Sequence, residues 1–172
     1  MFENGDLDRL VADFTKYRFY AQIVGPHGTG KTTLLNSFVP ELKKLGFSVI
    51  VTSLHDKQRR FPKKFWTEIR NNLQKRTILV IDGYEQLGLP ARIAAMYYRL
   101  RFGFGVLLTV HSPLWSVPVL HRTKADFAIL KKLLPEGLKT EISDSRLETI
   151  FNTHSGNLRL VFLDLYDLYE SE

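Results

Sequence analysis

Residues 24 to 35 read VGPHGTGKTTLL, and the reading of this stretch decides the fold. Within it, Gly25-Pro26-His27-Gly28-Thr29-Gly30-Lys31-Thr32 matches G-x-x-x-x-G-K-[ST] without a gap. Two fixed glycines, a lysine and a hydroxyl residue at this spacing arise by chance in under about 1% of chains this long. The spacing has a chemical reason. Glycines let successive N–H groups turn inward with no Cβ in the way, which makes a nest for an anion. A helix N-terminus behind them adds partial positive charge. Gly25 to Thr33 is therefore expected to hold phosphates, with Lys31 on the β- and γ-phosphates and the Thr32 hydroxyl toward Mg2+.

The flanks supply the context that such a loop needs. Before it, Phe19 to Val24 (FYAQIV) reads as a strand. After it, Leu34, Leu35, Phe38, Leu42 and Leu45 mark a helical stripe over Thr32 to Leu45. Pro40 predicts a kink or a restart there, and Gly46 a stop. Leu7, Leu10, Val11 and Phe14 predict an opening helix. Downstream, Ser48 to Leu54 and Thr77 to Ile81 read as buried strands, separated by a helix over 62–75 with Phe65, Trp66, Ile69 and Leu73 on one face. A helix from Pro90 to Arg101 and a strand from Gly105 to Val110 follow. Residues 111–124 read as loop with a short fifth strand near Val119, and helices are expected over 125–134, 144–152 and 156–169.

Strands alternating with helices predict a five-stranded, mainly parallel sheet covered on both faces, a three-layer α/β/α sandwich. At 172 residues the chain is expected to be one domain: an N-terminal helix over 1–15, an α/β core over 16–134 and a helical C-terminal segment over 135–172, a small lid or flank. Hydrophobic residues make up 44%, enough for a core. The absence of cysteine excludes disulfides and thiolate metal sites, so a cytoplasmic location is expected. The acidic, amphipathic N-terminus does not read as a signal peptide, and no apolar run reaches the roughly 18 residues that span a bilayer. The net charge of +6 fits phosphate-bearing partners without selecting one.

With Ile78-Leu-Val-Ile-Asp82, four apolar residues and then a carboxylate, the chain resembles the P-loop NTPase superfamily. In that resemblance Asp82 ends a Walker B strand and joins Thr32 at Mg2+. The chain looks most like small AAA-type, additional-strand ATPases, whose fourth strand lies between those of the phosphate loop and the metal Asp. The resemblance implies ATP and Mg2+ as cofactors and ATP hydrolysis as the activity. It departs in one place: Gly83 stands where a Glu commonly polarises the attacking water. Glu85, three residues past Asp82, is the substitute candidate; the other reading is a surface Glu opening a helix. Thr109, His111 and Ser112 end the fourth strand where such enzymes place a γ-phosphate sensor; His111 is preferred, and a loop histidine before Pro113 stays open. Ser155-Gly156-Asn157-Leu158-Arg159 resembles the start of a lid helix, with Arg159 either a second γ-phosphate contact or a plain surface arginine.

Other readings compete. Hydrolysis may be replaced by gating, in a nucleotide-gated interaction module with little turnover. Thr123-Lys124-Ala125-Asp126 is a variant of the guanine-reading motif of GTPases, but Asp82-Gly-Tyr-Glu85 lacks the D-x-x-G that should accompany it. Asp82-Gly83-Tyr84 resembles part of a small-molecule kinase motif, without its Pro and Arg. Residues 57–76 carry eight Lys or Arg interleaved with Phe61, Phe65 and Trp66. That pattern suits nucleic acid, yet aromatics on one helical face read better as core, with the cations solvated. Arg92, Arg99 and Arg101 are candidates for an arginine finger toward a neighbouring subunit. A nucleoside triphosphate is the expected ligand, and a protein partner or self-association stays open.

Overall fold

Runs such as TILVI and GVLLTV can be buried on both sides only if helices cover both faces of the sheet they enter. The computed structural model, which describes residues 4–55, 57–73, 76–124, 126–135 and 142–170, shows this arrangement. Its elements are α1 (Asn4–Lys16), β1 (Tyr20–Val24), α2 (Lys31–Lys44), β2 (Ser48–Ser53), α3 (Lys63–Asn71) and β3 (Thr77–Asp82). A 3-10 turn (Tyr84–Gln86), α4 (Leu89–Phe102), β4 (Gly105–Val110), β5 (Val119–Arg122) and α5 (Phe127–Leu133) follow. The last two helices are α6 (Asp144–Thr153) and α7 (Leu158–Glu170). The chain divides into two compact units, residues 1–24 with 31–122, and residues 25–30 with 123–172.

The first unit holds a five-stranded sheet in the order β2-β3-β4-β1-β5. Its strand pairings are parallel, and β4 lies between β3 and β1 as expected. Alternation along the strands divides the core. Ile78, Val80 and Leu107 pack with Leu7, Leu10 and Phe14 of α1 and Leu34, Leu35, Phe38 and Leu42 of α2. Leu79, Ile81, Val106 and Leu108 pack on the other face with Phe61, Phe65 and Ile69 and with Ala91 and Ala95 of α4. Phe61 and Phe65 stack at 4.0 Å between centroids, so two of the three aromatics in the basic stretch belong to the core. Gln74 and Lys75 of that stretch lie outside the described residues. Among the described residues, no helix is long and apolar enough to cross a membrane.

One expectation is corrected. α2 continues through Pro40 to Lys44, with no restart. Pro40 is exposed, so its ring and its lost N–H face solvent, while Leu34, Leu35, Phe38 and Leu42 hold the helix on the sheet from both sides of it. Leu45 lies past the helix end and is 47% exposed, so it does not belong to the stripe. Gly46, at φ +80, stops the helix as expected. Phe38 is fully buried and meets Phe14 edge-on at 5.9 Å. Phe38→Ala is expected to lower unfolding stability by about 3–5 kcal/mol, measured by urea denaturation.

β5 pairs with β1 at the sheet edge and buries Leu120. His121 on this strand has its pKa pushed below the usual histidine value by burial, against an opposing pull from Asp6. The folded state therefore disfavours the charged ring. Its share of stability is fully present above the unfolded histidine pKa of about 6.5 and is lost as pH falls below it. Replacing His121 with glutamine is expected to flatten the loss of thermal stability between about pH 7 and pH 5.

In the second unit Leu130, Leu134, Leu147, Val161 and Leu165 form a separate small core. The Asp126 carboxylate caps α5 by accepting from the Ala128 N–H at 2.9 Å. The Ser143 hydroxyl accepts from the Arg146 N–H and caps α6.

Candidate functional site

In the first unit, the buried run Ile78 to Ile81 delivers Asp82 to the end of a central strand. Both Asp82 oxygens are engaged by hydroxyls. Thr109 donates to Oδ1 at 2.5 Å and Thr32 donates to Oδ2 at 2.8 Å. Thr109 also accepts from the Gly83 N–H at 2.8 Å. Thr109 is almost fully buried, so β4 fixes the carboxylate's orientation through one rigid side chain.

The structure explains why Gly83 departs from the familiar pattern. Its φ is +81, and a Cβ there would fall 2.8 Å from the Leu54 carbonyl oxygen. A Glu at this position would strain the backbone and collide with β2's exit. The left-handed residue starts the 3-10 turn that carries Glu85 instead. Glu85 Oε1 pairs with His111 Nδ1 at 2.9 Å. Its other oxygen, Oε2, is buried and has no hydrogen-bond partner among the described residues. Lys31 belongs to the same group: burial lowers its pKa, while the Glu85 and Asp82 carboxylates pull it back up.

Lys31, Thr32, Asp82, Glu85 and His111 are thus brought together, with Thr109 among them. Of the three residues weighed at the end of β4, Thr109 bonds Asp82, His111 bonds Glu85, and Ser112 is exposed. Thr33 is also exposed, on the first turn of α2. The arginine-finger candidates are engaged within this unit. Arg92 donates to the Leu87 and Glu85 carbonyls, Arg99 lies 4.2 Å over the Tyr20 ring and Arg101 lies 5.2 Å over that of Phe102.

The second unit contains the rest of the phosphate-loop sequence, Gly25 to Gly30. Each glycine has its own reason. A Cβ on Gly25 would fall 2.0 Å from the Thr123 hydroxyl, and Thr123 in turn shares a 2.6 Å hydrogen bond with Thr29. Gly28 has φ +70, and a Cβ there would fall 1.9 Å from Asn157 Oδ1 and 3.3 Å from the Arg159 N. Gly30 has φ +88, and a Cβ would meet nothing within 4 Å. Thr29 donates to the Pro26 carbonyl at 2.8 Å; Pro26 and His27 are exposed. The start of α7 therefore lies against Gly28 through Asn157, whose Oδ1 is buried without a hydrogen-bond partner among the described residues. The Arg159 side chain is exposed.

Thr123 and Asp126 both have structural partners, on the loop and at the α5 cap; Ala125, between them, lies outside the described residues. Sequence reasoning passed over Gln22. It is fully buried in β1, donates to the Leu114 and Val117 carbonyls at 2.9 and 2.7 Å, and accepts from the Leu114 N–H at 2.9 Å. It ties down the loop that leaves β4 at His111. The available signal was a single amide in an apolar strand.

No protein-family model and no curated protein matches the chain. Among solved structures, AMPPCP-bound DnaA from Aquifex aeolicus is similar, with a TM-score of 0.52 and 21% identity over 97% of this chain and 63% of that one. The chain thus spans less than two thirds of that protein's length. At this identity the likeness is one of fold, and the fold is that of a P-loop NTPase.

Proposed function

We propose that the chain is an Mg2+-dependent ATP-binding protein that hydrolyses ATP slowly, resembling AAA-type enzymes and acting in the cytoplasm. The observation that carries the reading is the Thr32–Asp82 hydrogen bond at 2.8 Å, which joins the residue after the phosphate-loop lysine to the end of the central strand.

The residues present fit both groups. Thr32 Oγ1 and Asp82 Oδ2 are hard oxygen donors of the kind Mg2+ takes, with its remaining positions left to water and phosphate. No cluster of three His, Cys, Asp or Glu occurs among the described residues, which suits Mg2+ better than a metal needing an all-protein cage. Left-handed glycines at 28 and 30, with open space at Gly30, suit a loop whose N–H groups turn toward an anion. When bound, Mg2+ would neutralise charge on the phosphate oxygens.

The chain's own residues then take these roles. Residues 25 to 33 bind the phosphates, and Lys31 adds a cation. Thr109 holds Asp82 in the orientation that serves the metal. The free Glu85 Oε2 accepts a proton from water, with His111 fixing the other oxygen. Arg159 neutralises γ-phosphate charge. Catalysis of this kind is mainly electrostatic.

One observation favours a second reading, a nucleotide-gated interaction module. His111 already occupies one Glu85 oxygen, which restrains the only nearby substitute for the usual Glu. The test is phosphate release by the purified chain with Mg2+ and ATP, beside thermal shifts with ATP, ADP and GTP. Turnover above background with the largest shift for ATP supports the enzyme. An ATP shift without turnover supports the module, and a larger GTP shift overturns the base assignment.

A further inference from the structure

α4 buries Ala91 and Ala95 against the sheet and turns a second apolar face outward. Leu89, Ile93, Met96, Tyr97 and Leu100 are 38% to 71% exposed. They recur at i, i+4, i+7, i+8 and i+11, so they form one narrow stripe. Arg92 and Arg99 border one edge and Arg101 the other, and α4 contains no acidic residue. A contiguous exposed stripe of this length marks an interaction surface.

The chain contains one helix with the complementary character. α7 buries Val161 and Leu165 in its own core and exposes Leu160, Leu163 and Tyr166, at 43% to 58%. Asp167 and, by position, Glu170 share that face at four and seven residues beyond Leu163. The two helices match in length, at 14 and 13 residues, or about 21 and 20 Å.

We propose that α7 of one copy docks on α4 of a second copy. Charge selects this pairing over the symmetric ones. Two α4 faces would bring arginines against arginines, and two α7 faces carboxylates against carboxylates. The contact is heterologous, so a dimer keeps one unused α4 and one unused α7 and adds further copies. One helix pair is a small interface, and the association is correspondingly weak. It needs no nucleotide and stands apart from the reading of residues 25 to 33.

The test is sedimentation equilibrium from about 1 to about 500 µM, the range proper to a small interface. Wild-type mass is expected to rise with concentration beyond that of a dimer. Ile93→Glu with Leu100→Glu removes the α4 face; Leu163→Glu with Tyr166→Glu removes the α7 face. Each double variant is expected to weaken self-association at least about tenfold. Mixed in equal amounts, the two should form a heterodimer that stops at two chains, because each supplies the face the other lacks. If either variant loses its helical circular dichroism, the serine substitutions at the same positions carry the same test. A wild-type chain that stays monomeric throughout, including by pairing its own two helices, overturns the proposal. So does an α7 variant that still self-associates, or a mixture that forms no heterodimer.

Discussion

Lys31→Ala is expected to weaken Mg2+–ATP binding by about ten- to a hundredfold, with the fold intact. The figure follows from removing one charge-assisted contact to phosphate, about 1.5–3 kcal/mol. The intact fold follows from the site itself. Burial already disfavours the charged lysine, as its lowered pKa records, so folding does not depend on it. What the lysine does is offset Asp82 and Glu85, and without it their two negative charges face the incoming phosphates alone. Isothermal titration calorimetry measures the affinity, and a thermal melt without nucleotide checks the fold. Unchanged affinity would remove Lys31 from the site.

Glu85→Gln separates binding from chemistry. The amide keeps the shape of the side chain and can still bond His111, but it cannot take a proton. Turnover is expected to fall by about a hundredfold or more, the scale of a lost general base, while ATP affinity changes little. The prediction rests on one buried oxygen, Glu85 Oε2, left without a protein partner in a group that includes Lys31 and Asp82. Equal turnover in the two proteins would mean that Glu85 is only a partner for His111. A large loss of affinity would instead make it a binding residue.

The sheet was legible because its signal is local. Each central strand is an apolar run ended by a turn or a carboxylate, and a run with no polar side must be covered on both faces. The order β3-β4-β1 came from the family resemblance rather than from the residues, since nothing in a strand's own sequence states its neighbour. Pro40 misled because the rule for a proline inside a helix ignores which face it occupies. On the solvent face, buried leucines on both sides outweigh one lost hydrogen bond.

The site was legible in part. The phosphate loop and Asp82 announce themselves by spacing. Gly83 read as a departure from pattern, and only the structure supplies its cause, the Leu54 carbonyl 2.8 Å from where a Cβ would stand. Thr109 and His111 could not be ranked from sequence, because strand parity does not say which side chain meets Asp82. Asn157 and Gln22 were invisible for a related reason. Their importance lies in contacts 129 residues from Gly28 and 92 residues from Leu114, measured along the chain, and no local pattern encodes such pairs.

The most direct measurement is a nuclear magnetic resonance titration of the isotope-labelled chain with Mg2+–ATP, following backbone amides. A triphosphate held by the loop should move the amide signals of Gly28 to Thr33 first and furthest, with Asp82 and Gly83 next. Saturating shifts confined to other parts of the chain, or no shifts at millimolar ATP, would contradict the claim that these amides bind phosphate.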